Sequence, residues 1–134
     1  MANALYPLWK QQLLQFTANN NLSAGTVKVA LIDTGTYTYS SAHQFWSSAS
    51  AASVGTPQTI GTKTFTNGTF DGDNATFTAV TGNSVEALII FIDTGTAGTS
   101  PLVAFIDTGV TGLPVTPNGG DITVTWNASG IFTL

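Results

Sequence analysis

At 134 residues, 43% of them apolar and none of them cysteine, the chain fits one compact domain spanning residues 1–134 that buries its core without disulfides. Only 7% of residues are charged, the net charge is −4 and arginine is absent, which excludes the basic surface that a nucleic-acid partner requires. The lack of cysteine also excludes thiol catalysis and zinc–thiolate centres, and no apolar run reaches the roughly 18 residues of a membrane-spanning helix.

Thr, Ser, Asn and Gly carry the polarity instead of charge, and these residues favour strands and turns. A surface so poor in charge lacks the repulsion that keeps monomers apart, which suits a protein that works in an assembly. The N-terminus has no basic stretch followed by an apolar one, so synthesis in a bacterial-type cytoplasm is the expectation.

In chain order, the spacing first predicts a helix over Pro7–Ala18. Pro7 suits the first helical position, and Trp9, Leu13 and Phe16 fall at i, i+4 and i+7 with Leu8 beside them. Asn19–Asn21 ends it. This N-terminal unit, residues 1–21, either packs on its own sheet or serves as an arm that docks on a neighbouring subunit. Strands are predicted at Thr26–Asp33, Thr59–Phe65, Ala75–Val80, Val85–Ile92, Leu102–Ile106, Ile122–Trp126 and Ile131–Leu134. The Tyr37–Pro57 segment lacks periodic apolar residues and carries no assigned element. Strands at this spacing with no helices between them predict an all-β fold, an antiparallel sandwich or jelly-roll-like barrel with one short N-terminal helix.

Ile-Asp-Thr-Gly closes three of the apolar runs, at Ile32–Gly35, Ile92–Gly95 and Ile106–Gly109. In each strand the Ile points opposite to the apolar residue before it (Leu31, Phe91 or Phe105) and with the apolar residue two before (Ala30, Ile90 or Ala104), so both faces are apolar. Strands apolar on both faces need cover on both. Ile32, Ile92 and Ile106, together with Leu8, Trp9, Leu13 and Phe16, are therefore the candidate assembly-interface residues.

Asp-Thr-Gly after an apolar run also resembles the catalytic strand of aspartic proteases, where two such aspartates share a proton. The hydrophobic-hydrophobic-Gly segment that threads those active sites is missing; its nearest match, Thr59-Ile60-Gly61, lacks the pair. A hairpin joining the second and third copies would place Asp93 and Asp107 at opposite ends. The alternative is a strand ending: the carboxylate accepts a backbone N–H two residues on, and Gly supplies a positive φ. A retroviral-type protease stays the remote alternative, and no catalytic residue is assigned.

Other motifs are weaker. His43 has no partner placed beside it by sequence, and Asp71-Gly72-Asp73-Asn74 lacks the later Glu of a calcium loop and reads as a turn. No metal or cofactor site is assigned. Trp9 and Trp126 fall on core-facing positions, whereas Trp46 in the Ser-rich segment is left open as a sugar-stacking platform.

Several segments in shared order resemble a group of small structural proteins of tailed bacteriophages. They are MANALY at the N-terminus, TVKVALID at 26–33, AHQFWS at 42–47 and FTAVTGNSVEALIIFIDTG at 77–95, followed by SPLVAFIDTG at 100–109 and GGDITVTWNASGIFTL at 119–134. The resemblance implies a virion β-sandwich, synthesised in the bacterial host cytoplasm, with no catalytic residues to carry over. It further implies a capsid cement or decoration protein whose partners are the major capsid protein and copies of itself, as a dimer or trimer. A tail or neck component is the alternative, and neither nucleic acid nor membrane is an expected partner.

Overall fold

Unbroken runs of Val, Ile, Leu and Phe can be strands only where both faces are sealed from water, and the centre of this molecule is built on that condition. The computed structural model describes residues 3–134. In chain order its elements are β1 (Ala4–Leu5), α1 (Pro7–Leu14), β2 (Thr26–Ile32), β3 (Ser53–Thr59), β4 (Thr69–Phe70), β5 (Ala75–Phe77), β6 (Ala87–Asp93), β7 (Leu102–Ile106), β8 (Ile122–Val124) and β9 (Phe132–Thr133). Five strands form one sheet in the order β1-β7-β6-β2-β3, and β4-β9 and β5-β8 form two-stranded ribbons. Every pairing is antiparallel. The fold is all-β and sandwich-like, with one short helix.

Pairing assigns the faces. Val27, Val29 and Leu31 lie opposite Ile92, Ile90 and Leu88, while Lys28, Ala30 and Ile32 lie opposite Phe91, Ile89 and Ala87. The Phe91 side is covered by the segment that follows β2. Trp46 stacks on Phe91 with ring centroids 4.2 Å apart and planes 4° from parallel, and Tyr37 and Tyr39 lean on Phe105. Tyr6, fully buried, adds its ring to Tyr39 and its hydroxyl to that of Tyr37 at 2.8 Å. Phe70, Phe77, Val80, Ile122 and Val124, from the ribbons and the turns beside them, belong to the same contiguous core.

Ile32, Ile92 and Ile106 are consequently at most 3% exposed within the single chain. Their assignment as interface residues is corrected: the chain covers both faces of its own sheet and leaves them no surface to offer. The Tyr37–Ala52 segment supplies the missing layer, which its lack of periodicity concealed. It covers the sheet with isolated aromatic side chains and two 3₁₀ turns, Trp46–Ser48 and Ser50–Ala52, not with a regular element.

Other boundaries move for local reasons. The helix ends at Leu14, not Ala18, because Phe16 takes a left-handed φ of 56°. The edge strand β3 lies before the predicted Thr59–Phe65 strand; Thr62, with φ 51°, breaks the chain there. Ala79, with φ 50°, ends the Ala75 strand early. Gly55, with φ 71°, and Pro57 sit in β3, on the sheet edge where a missing donor is tolerated.

Ile122, Val124 and Trp126 are buried while Thr123 and Thr125 are exposed, the alternation expected of the last long run. Trp126 also donates its indole N–H to the Asp73 carbonyl at 2.8 Å and its backbone N–H to Asn74 Oδ1 at 3.1 Å. Trp126→Ala empties a core site and strands that carbonyl, so chemical denaturation should record a loss of about 3–5 kcal/mol. A loss below about 1 kcal/mol would mean that the site collapses freely around the missing ring.

Candidate functional site

A groove of about 580 Å³ opens where α1 ends. Pro7 starts the helix, and no side chain caps it. Trp9 is buried, sets its ring edge-on to Phe132 at 5.9 Å, and lies with its indole N–H 3.3 Å from the Asn20 carbonyl. Leu13, one turn on, and Phe16 continue the groove wall. Leu8 is half-buried and takes no part in the lining. The helical stripe seen in the sequence thus splits: Trp9 enters the core, Leu13 and Phe16 line the groove, and Leu8 stands apart.

Residues after the helix form a second wall held by side-chain bonds. Asn20 Nδ2 donates to the Ala18 carbonyl at 2.7 Å and to Thr17 Oγ1 at 2.9 Å, and Asn21 Oδ1 accepts the Ser23 N–H at 2.8 Å. Lys63 reaches across to donate its ammonium to the carbonyls of Leu22 and Gly25, each at 2.7 Å. An ammonium shared among carbonyls fixes this loop more firmly than neutral bonds would. The far wall is aromatic: Phe70 packs on Phe65 and Phe132 at 5.6 and 5.4 Å, with Leu134 beside them. No charged side chain among the described residues lines the groove.

Among the described residues, three of the four large apolar side chains that stand exposed belong to this groove: Phe16 at 96%, Leu134 at 66% and Phe65 at 40%. The fourth, Leu14 at 90%, adjoins it in the chain. Phe65, Phe70, Phe132 and Leu134 escaped the sequence reading because they come together only through the Thr69–Thr133 pairing, which no local pattern announces.

The three Asp-Thr-Gly copies lie elsewhere. Asp33 and Asp107 leave the sheet at one end, on strands separated by β6, whereas Asp93 lies at the opposite end. Two strand spacings put Asp33 and Asp107 roughly 10 Å apart, against the ~3 Å over which a dyad shares its proton. Asp33 and Asp93 each accept the N–H of the glycine two residues on, at 2.9 and 2.8 Å, the strand-ending geometry. Gly95 and Gly109 take positive φ, while Gly35 does not.

Asp33 borders a smaller polar recess of about 250 Å³ that Ser53 and Asn83 also line. Its carboxylate accepts from Thr36 Oγ1 at 2.8 Å and Asn83 Nδ2 at 3.0 Å, besides Gly35. These donors, the Thr36 hydroxyl foremost, hold its pKa below the usual carboxylate range. Glu86, which accepts both the N–H and the hydroxyl of Thr34 at 3.0 Å, is lowered too, chiefly by the Ser84 hydroxyl. A proton-sharing pair requires one carboxylate raised; here both are held ionised.

The remaining motifs hold the fold. Asp71, Asp73 and Asn74 aim at three different partners: the Gly72 N–H, the Thr62 hydroxyl and the Trp126 N–H. Among the described residues, no group of three His, Cys, Asp or Glu side chains could hold a metal ion. His43 Nδ1 lies 2.9 Å from the Tyr37 hydroxyl. Trp46 is buried against Phe91, so the exposed face that a sugar platform needs is absent.

Asp93 is likewise lowered, first by Lys28, whose ammonium lies 2.7 Å away, and then by the Gly95 N–H. Carboxylates with folded-state pKa values below their unfolded ones stabilise the fold above the unfolded value, and that contribution is lost as pH falls through the folded one. The denaturant midpoint should therefore hold between about pH 7 and 5 and fall below about pH 4. Asp33→Asn should lower the midpoint at pH 7 and flatten the acid-side fall; an unchanged acid profile would show that this carboxylate contributes nothing. No protein-family model matches the chain, and comparison with curated proteins finds no relative.

Proposed function

We propose that this chain is a bacteriophage virion structural protein, most directly a capsid cement protein that binds the assembled head and bridges neighbouring capsomers. Its partners on this reading are the major capsid protein and copies of itself, and its place is the virion, after synthesis in the bacterial host cytoplasm. The observation that carries the reading is the apolar groove lined by no charged side chain, with Phe16, Phe65 and Leu134 exposed around it, on a β-domain whose core is otherwise closed. Such a surface holds a neighbouring protein; it presents no nucleophile, no paired acid and base, and no anion cradle. The ordered segments that resemble tailed-phage structural proteins point the same way.

Cementing works through mass action. A subunit that binds only the closed lattice stabilises it by RT ln(1 + [L]/Kd) per site, about 2.7 kcal/mol at a hundredfold excess over Kd, repeated at every symmetry-related position. A small rigid domain suits the task, since little conformational entropy is lost on docking.

Quantitative mass spectrometry of purified virions tests this reading. A cement protein should be present in hundreds of copies, in fixed ratio to the shell subunit, because the lattice symmetry repeats its site. A dozen copies would move the protein to the neck or tail, and its absence from washed particles would overturn the virion role.

A further inference from the structure

We infer that the groove at the end of α1 is the contact surface of a two-fold symmetric dimer, in which Phe16 of each copy seats in the groove of the other. The inference rests on the self-association part of the reading above and commits it to one surface and one symmetry.

Three observations carry it. The first is the direction of Phe16. A helix continued to Ala18 would lay this ring along the Trp9–Leu13 stripe. Instead the helix stops at Leu14, and Phe16 takes φ 56°, a region that bulky side chains rarely occupy, with 96% of its surface open. The chain holds an aromatic knob at the rim of its own cavity.

The second is self-complementarity. A two-fold contact sets one patch against a copy of itself, so a patch of one charge sign repels its mate, whereas one carrying both a knob and a hole fits. Here the hole adjoins the knob, and its polar rim consists of Gln12, Thr17, Asn19, Asn21 and Ser23, all uncharged. These amides and hydroxyls both donate and accept, so they can pair with their own symmetry mates.

The third is area. The exposed fractions of Leu14, Phe16, Phe65 and Leu134 amount to nearly three whole residues, on the order of 600 Å² of open, mostly apolar surface at ~200 Å² each. A standard interface buries about 800 Å² per partner, of which roughly 450–520 Å² is apolar. The patch therefore supplies the apolar share of a stable dimer.

Sedimentation equilibrium of the full chain from about 1 to 100 µM tests the inference. The wild type should reach the mass of two chains in this range, and Phe16→Asp should remain at one chain at 100 µM. The variant's circular dichroism and low-concentration melting temperature should match those of the wild type, because so exposed a ring contributes little to the fold. Phe16→Gly, which relieves the backbone strain, should also be monomeric and guards against a folding defect in the first variant. A wild type that stays monomeric at 100 µM, a trimer, or a dimer that survives either substitution would overturn the proposal. Dimerisation together with absence from virions would sink the particle reading alone; a monomer abundant in virions would sink this one alone.

Discussion

Strand β6 is the constraint on which the rest depends. Its residues Ala87 to Ile92 are at most 2% exposed, hydrogen-bonded to β2 on one edge and β7 on the other, and covered on both faces. A strand with no polar side chain on either face cannot meet water anywhere, so the chain must supply two layers of cover as well as two neighbours. That requirement turns the Tyr37–Ala52 segment into a lid on one face and draws side chains of the ribbons and of α1 into the same core. It also explains why, outside the edge strand β3 and the ion-paired Lys28, the polar residues of the five-stranded sheet collect at strand ends and turns.

The same requirement separates what the sequence made legible from what it concealed. β2, β6, β7 and β8 were readable because burial on one or both faces leaves a local imprint, a continuous apolar run or a strict alternation. The alternation of Ile122, Val124 and Trp126 survives intact in the fold. β3 was not readable: an edge strand has one hydrogen-bonded neighbour and tolerates Gly55, Pro57 and polar residues that elsewhere signal a loop. β1 and β4 are two residues long and exist only through partners far along the chain, whereas β9, Phe132–Thr133, falls inside the strand predicted at Ile131–Leu134. The groove inherits that difficulty. Its helical wall was visible as a stripe, but its aromatic wall is assembled by a pairing across 64 residues.

The groove's exposure follows from the core's completeness. Trp9, through Phe132 and the Asn20 carbonyl, and the half-buried Leu13 seat α1 on the core, while Leu14 and Phe16 stay outside it. Lys63, one of only three side-chain cations, donates to backbone carbonyls and so fixes the loop after the helix. A loop fixed by a charged tether gives the groove a pre-organised wall.

The three Ile-Asp-Thr-Gly copies show how little of a short motif's role is local. Each ends a strand, yet each is used differently. Asp33 gathers three donors and ties the Asn83 turn to the end of β2. Asp93 pairs with Lys28 on the neighbouring strand and so neutralises a cation set two residues from the buried Ala30. At the third copy the backbone does the binding: the Asn3 side chain accepts the N–H groups of Asp107 and Thr108 and donates to the Thr108 carbonyl, anchoring the N-terminal edge strand. The tripeptide specifies a tight strand exit. What that exit fastens is decided by whichever element the topology brings alongside, and at none of the three is it a second Asp-Thr-Gly aspartate.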